Sequence, residues 1–401
     1  ESRTMSKIRV VRTVEIPDAL RISRYHKIPE LGPRILFFSG GSALNGLCKT
    51  LKSYTHNSIH LVTPFDSGGS SAELRQAFDM PSIGDLRSRL MALADESVTG
   101  HPEIYDLFNY RFPGNGRKAD LRKALVSLAR GKHPLVAEIS NPMRSLICNQ
   151  LGYFLGAMPK GFDLRGASVG NLILTGGYLN NHQHLDPIIF LFSKLVNVQG
   201  TVRAVVNGDL HLGADLEDGT RILGQHRLTG KEAAPIRSPI RKLFLSAKVD
   251  TFEPARIELR KKNRKLIERA DLICYPPGSF YTSLMANFLP GGVGSAIAAN
   301  GGPKVYIPNL GTDPEQLGMD LDGAVRALVE RLRADVSADT SADRLLNFVL
   351  MDSRAGSYPG GLSKRLTKQL GVEVIDTRLT RKAGASRYDD ELLVSALLSL
   401  T

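Results

Sequence analysis

Several short, mostly apolar runs in this chain end abruptly on glycine, proline or a single acid. ILFF (Ile35 to Phe38) leads into Ser39-Gly40-Gly41, SIHLVTPF leads into Asp66, and DLICY leads into Pro276-Pro277-Gly278. A strand that is apolar on successive residues has no wet face, so such runs belong to a sheet covered on both sides. Helical spacing fills the intervals. ALNGLCKTLKS follows the first run, IGDLRSRLMALAD carries Leu86, Leu90 and Leu93 on one stripe, and LDGAVRALVERLRAD separates the later strand candidates KVYIPNL, LNFVLM and VEVIDT. Strands alternating with helices predict an α/β fold: a Rossmann-like, mainly parallel sheet with helices on both faces. DLHLGADLEDGTRILGQHRL alternates apolar and polar residues on either side of Glu217-Asp218-Gly219-Thr220, and predicts a β-hairpin.

The 401 residues exceed what one compact core needs. From about residue 97 to residue 196 the patterns are helical, as in DLRKALVSLAR and NPMRSLICNQLGYFL. The expected organisation is an N-terminal extension (1–33), a nucleotide-binding core (34–96 and 197–401) and a helical insertion (97–196). No apolar run is long enough to span a bilayer, and the first sixteen residues lack the apolar core of a secretory signal. Cys48, Cys148 and Cys274 are scattered and odd in number, which fits a reducing cytoplasm and argues against a disulfide framework or a cysteine zinc site.

The formal net charge of +12 favours anionic partners. The densest basic run, Ala255 to Ala270, has a partial apolar stripe and reads as a surface helix open to a protein partner. It has no interleaved aromatic residues, and the chain has no tryptophan and no nucleic-acid module signature, so nucleic acid is disfavoured. The apolar segment FYTSLMANFLPGGV is a candidate homodimer surface.

The chemistry concentrates at three strand ends. Gly40, Gly41 and Ser42 follow the first strand, Ser67, Gly68, Gly69 and Ser70 follow Asp66, and Pro277, Gly278 and Ser279 precede a predicted helix over SFYTSLMANFL. In a parallel sheet these ends share one edge, where ligands bind. Glycines let backbone N–H groups approach an anion, and helix N-termini add a positive dipole end. Three such loops together would cradle a diphosphate. Asp66 would hold Mg²⁺ between protein and phosphates, or bind or deprotonate an acceptor hydroxyl, or simply cap its own turn. Asp85 reads as a helix N-cap, and Arg87 as a phosphate clamp. Ser168, Gly170 and Asn171 precede an apolar helix, where Asn171 would read a base or sugar or act as a plain cap.

The order of the motifs GGSALNGLCKTLK, TPFDSGGSSAELR, PSIGDLRSRLMALAD, FNYRF, ASVGNLIL, DLHLGADLEDGTRILGQ, ICYPPGSFYTSLMANFL and PKVYIPNLGTDPEQ resembles the CofD/YvcK-like family over residues 34 to 315. That resemblance implies a Rossmann-like core with a helical insertion. In its transferase branch a phospholactyl group moves from a guanosine diphosphate-linked donor to a deazaflavin, with Mg²⁺. In its gluconeogenesis-factor branch a UDP-sugar is bound and metabolism is regulated. The D-S-G-G-S-S, GDLR and LEDGT segments resemble the second branch more. Asp66 matches the acid that lies at the transferase acceptor site, where Arg87 or Arg111 would neutralise charge. Gly40 to Ser42, Asn171, Gly278 and Ser279 match the nucleotide side, where Asn45, Ser168, Gly170 and Asn309 are further candidates. The resemblance therefore implies a Mg²⁺-dependent, phospholactate-type transferase acting on a nucleoside diphosphate-linked metabolite, or a regulator that senses a UDP-sugar.

Overall fold

The structure, a computed structural model, describes residue 8 and residues 10–401; the remainder of the expected N-terminal extension lies outside the described residues. Among the described residues ten strands form two sheets. They are β1 (Ile35–Ser39), β2 (Ile59–Val62), β3 (Thr201–Ala204), β4 (His211–Leu216), β5 (Arg221–Leu223), β6 (Ile240–Ser246), β7 (Leu272–Tyr275), β8 (Lys304–Tyr306), β9 (Phe348–Met351) and β10 (Glu373–Asp376). The main sheet has the order β10-β9-β8-β7-β1-β2-β3, and every pairing in it is parallel. The chain lays down β1, β2 and β3 in one direction, then returns to build β7 to β10 from the other side of β1. The crevice beyond the C-terminal ends of β1 and β7 is therefore the topological switch point, where ligands bind in open α/β sheets.

The apolar strand runs are explained by their two covers. Ile35 and Phe37 face a core shared with the helices Asn45–Leu51, Gly84–Leu93 and Asp390–Ser399 and with the helices of residues 97–196. Leu36 and Phe38 face a second core, built with the small sheet and the helix Leu321–Arg333. Successive side chains of a strand point to opposite faces, so the run needs two partners. Burial of the Phe37 and Phe38 side chains stabilises the fold by about 1.5–3 kcal/mol each.

The predicted hairpin is present. β4 and β5 pair antiparallel around Gly219, whose φ of 88° suits glycine. A third strand, β6, pairs with β4 and completes a separate antiparallel sheet. Neither β3 nor β6 stands out in the sequence: β3 (TVRA) is a short run interrupted by Arg203, and β6 (IRKLFLS) places Arg241 and Lys242 side by side before Leu243-Phe244-Leu245. The predicted helix over SFYTSLMANFL does not form as an α-helix. Phe280–Leu284 is a π-turn followed by a 3₁₀ turn, Met285–Phe288. Phe280, Tyr281, Leu284, Met285 and Phe288 are buried in the second core, so this segment offers no apolar face to a second copy. Among the described residues no helix is long and apolar enough to cross a membrane.

Candidate functional site

The glycine loop after β1 is held from beneath. Arg89, 0% exposed, donates from Nη2 to the carbonyl oxygens of Gly40 (3.3 Å) and Gly41 (3.1 Å), from Nη1 to Ser39 Oγ (2.6 Å) and from Nε to Asn45 Oδ1 (3.3 Å). The carbonyls of the loop are thus drawn inward. Asn45 Nδ2 in turn donates to Ser88 Oγ at 2.7 Å, so the Asn45 carboxamide braces the loop rather than facing the crevice. A Cβ on Gly40 would lie 2.6 Å from Ser283 Oγ, so this close approach of loop to π-turn requires glycine. Arg89 carries no motif in the sequence. Its signal was positional: it sits three residues after Leu86 and next to Leu90, inside the buried stripe of an amphipathic helix.

Ser42, Pro277, Gly278, Ser279 and Asn309 line one cavity of about 370 Å³ together with Lys231, Asp313 and Arg387. Gly40 and Gly41 line a small adjoining recess with Pro277 and Gly278. The switch point therefore collects two of the three predicted loops. It also corrects the reading of the third strand end. Gly278 N already donates to Asn309 Oδ1 (2.8 Å), and the amides of Phe280, Tyr281 and Thr282 donate to Asp313 and Glu315 (2.8, 2.9 and 2.9 Å). These carboxylates take the N–H groups that a free helix N-terminus would offer to phosphate.

The acid loop is likewise partly satisfied from within. Asp66 Oδ1 accepts from Gly68 N at 3.0 Å and so caps its own turn. Ser67 Oγ bonds to His226 Nδ1 at 2.8 Å. The Glu232 carboxylate lies against Gly68 and accepts from Gly69 N at 3.4 Å. An anion entering this nest would displace Glu232. Asp85 is not an N-cap: the helix Gly84–Leu93 has Ile83 in that position, without a side-chain cap. Asp85 instead faces Gly41 and shares a low-dielectric corner with Asp66. Burial, then repulsion from Asp66, push the Asp85 carboxyl up to about 7, against the pull of Arg89 and Lys231.

A carboxyl raised in the folded state binds its proton more tightly there than in the unfolded chain. Its contribution to stability is full below the ordinary value near 4 and is lost as pH rises through about 7. Asp85→Asn is therefore expected to be more stable than the parent at pH 8, on the order of 2 kcal/mol, and equal to it near pH 4. Urea unfolding at both pH values checks this; a difference that does not change with pH would show that Asp85 is ionised throughout.

The remaining predicted residues assemble elsewhere. Ser70, Arg111, Ser168 and Asn171 line a second cavity of about 290 Å³. Gly170 packs behind it, where a Cβ would lie 2.5 Å from the Phe108 carbonyl oxygen and 2.8 Å from Arg87 Cδ. Arg87 points at Asn109 (Nη1 to Oδ1, 3.5 Å), away from the glycine loop that Arg89 serves. Ser168 caps the helix Val169–Asn180. The candidates thus fall into two groups, one at the switch point and one between the acid loop and the helical segment.

A family profile described as 2-phospho-L-lactate transferase CofD matches residues 35–390. The chain belongs to the CofD family. It is 28% identical over 376 residues to the gluconeogenesis factor of Bacillus subtilis, covering 92% of this chain and 98% of that protein. It is 31% identical over 281 residues to the gluconeogenesis factor of Halalkalibacterium halodurans, covering 69% of this chain and 67% of the other. The crystal structure of a UPF0052 family member from Bacillus halodurans superposes with a TM-score of 0.66 over 91% of this chain and 99% of that one, at 24% identity. That likeness supports the fold. The family match reaches from β1 to the start of the last helix, so it includes the residues lining both cavities except Leu393.

Proposed function

We propose that this CofD family member binds a nucleoside diphosphate-linked metabolite at the switch point and transfers a phosphorus-containing group from it. The observation that carries this reading is the β1 loop. Its carbonyls are pinned inward by Arg89, and it borders a cavity that contains Lys231 and adjoins two carboxylates, Asp66 and Asp85. Backbone N–H groups and a lysine suit phosphate oxygens.

Among the described residues no cluster of three or more histidine, cysteine or acidic side chains would hold a metal by itself. Mg²⁺ does not require one. It is commonly bound by one or two carboxylates plus substrate phosphates, and Asp66 with Asp85 fits that donor set. The P–O–P bond would break as the acceptor oxygen bonds to the transferred phosphorus, and the ion would neutralise charge on the leaving nucleoside monophosphate. Asp66 and Asp85 would orient it, and Lys231 would meet the remaining phosphate charge. A deazaflavin-like acceptor would approach from the Asp66 side.

A second reading is favoured by the names of the relatives, which are gluconeogenesis factors. In it the same cleft senses a UDP-sugar without turnover and signals to a protein partner in the cytoplasm. One experiment serves both. Thermal unfolding is followed with GDP, UDP and UDP-N-acetylglucosamine, each with and without Mg²⁺. A ligand at about 100 times its dissociation constant adds about 2.7 kcal/mol to the native state. A Mg²⁺-dependent stabilisation that Asp66→Asn removes is expected. Release of the nucleoside monophosphate from a diphosphate-linked compound then marks the transferase, and binding without release marks the sensor. If no nucleotide stabilises the protein, the proposed ligand class is wrong.

A further inference from the structure

The second cavity has the features of a binding site in its own right. Two guanidinium groups lie beside it, and among the described residues no carboxylate is paired with either. Arg111 has one bond to the protein, from Nη1 to the Gly166 carbonyl oxygen at 3.1 Å. Arg87 has only the long contact with Asn109, and its buried Nε has no partner. Neither arginine forms an ion pair among the described residues. Burial, and then the charge of the neighbouring Arg111, lower the Arg87 pKa to about 10. Arg165, also in the wall, differs: its guanidinium is spent on Asp163.

Asn171 supplies an independent observation. It is 2% exposed, lines the cavity, and its Oδ1 has no hydrogen-bond partner. Buried polar atoms are nearly always paired, so an orphan facing a cavity is an open place for a ligand. The helix N-terminus behind it is not the main attraction, because the amides of Val169 and Asn171 are already used by the Tyr110 carbonyl and by Ser168 Oγ. Its dipole still adds positive potential. Glu73 completes the wall on the other side, an acceptor that would bind a hydroxyl and turn an anionic group toward Arg111.

We propose that this cavity is a second ligand site, for a small phosphate ester bearing a free hydroxyl group. The phosphate sits by Arg111 with Arg87 behind it, and the hydroxyl lies between the Asn171 carboxamide and Glu73. At about 290 Å³ the space is at the lower limit for ligand pockets, which suits a small metabolite rather than a tricyclic ring system with its side chain. The inference does not depend on what the switch-point cleft binds.

Calorimetric titration of the whole chain with glycerol 3-phosphate, inorganic phosphate and glycerol tests it. Glycerol 3-phosphate is expected to bind at least five times more tightly than phosphate, and glycerol not at all. Arg111→Met and Asn171→Asp should each weaken glycerol 3-phosphate at least tenfold. Arg122→Met, an exposed arginine on the helix Lys118–Ala129, should leave it within twofold. Lys231→Met, in the other cavity, should also leave it within twofold while weakening any nucleotide, so the two sites succeed or fail separately. Arg111 is exposed, so its variant keeps the fold and is decisive even where Asn171→Asp does not fold. The proposal is overturned by a parent chain that binds no glycerol 3-phosphate, by unchanged binding in Arg111→Met, or by loss of binding in Lys231→Met.

Discussion

Arg89→Met is expected to lower the stability of the protein by about 3–5 kcal/mol and to weaken nucleotide binding more than tenfold in the fraction that stays folded. Methionine keeps most of the buried volume but none of the donors. Ser39 Oγ, Asn45 Oδ1 and the carbonyl oxygens of Gly40 and Gly41 would lose a partner at once. Each buried acceptor left unsatisfied costs about 1–3 kcal/mol. Removing a buried cation recovers part of its own desolvation cost, which is why the expected loss is smaller than the sum of the bonds. The nearby acids lose as well, because Arg89 pulls the Asp85 carboxyl downward. Arg89→Lys should restore less than half of the loss, since an ammonium group cannot reach two carbonyls, a hydroxyl and an amide in one plane. Urea unfolding with a shared slope measures this. An unchanged midpoint in Arg89→Met would mean that the loop carbonyls are solvated and that the loop does not need its brace.

The prediction concerns a residue that the sequence nearly yields. Arg87 and Arg89 stand two apart on one helix and so point to different faces. Charge alone made Arg87 the phosphate clamp; the apolar neighbours Leu86, Leu90 and Leu93 place Arg89, not Arg87, under the β1 loop. Local pattern carries much of the fold, although the helix expected over SFYTSLMANFL and the N-cap expected at Asp85 do not form. Strands apolar on successive residues gave a doubly covered parallel sheet, and six of its seven strands were visible as runs. The hairpin was visible in its alternation and turn. What depends on distant residues was hidden. Glu232 is 163 residues from the Gly69 amide it faces, and Asp313 and Glu315 are more than 30 residues from the amides they cap. A glycine-rich strand end shows that amides are exposed to something; it does not show whether that partner is a ligand or a carboxylate from elsewhere in the chain. That is also why one predicted site became two cavities, since strand order and helix packing, not spacing along the chain, separate Asn171 from Gly278.

Glu315→Ala is the second substitution with a large expected effect, and Glu315→Gln is its control. Glu315 is 1% exposed and accepts from Tyr281 N, Thr282 N and Thr282 Oγ1 at 2.9, 2.9 and 2.6 Å. Alanine leaves two buried amides and a hydroxyl without a partner, at an expected total of about 3–4 kcal/mol. The π-turn Phe280–Leu284 that these bonds hold also presses Ser283 against Gly40, so the floor of the switch-point cleft should loosen and nucleotide binding should fall with stability. Glutamine keeps one acceptor for the two amides and can donate to Thr282 Oγ1, so it preserves the turn without the charge. Burial, then the charge of Asp313, raise the Glu315 carboxyl to about 7, despite the three donors that favour ionisation. The folded protein holds that proton more tightly than the unfolded chain. The stability it contributes is full below the ordinary value near 4.3 and is lost as pH rises through about 7. Glu315→Gln is therefore expected to match the parent near pH 4.5 and to exceed it by on the order of 1–2 kcal/mol at pH 8, while Glu315→Ala falls below it at both. Unfolding curves at the two pH values separate the roles. A glutamine variant as unstable as alanine would mean that the ionised carboxylate, and not hydrogen bonding alone, holds the turn.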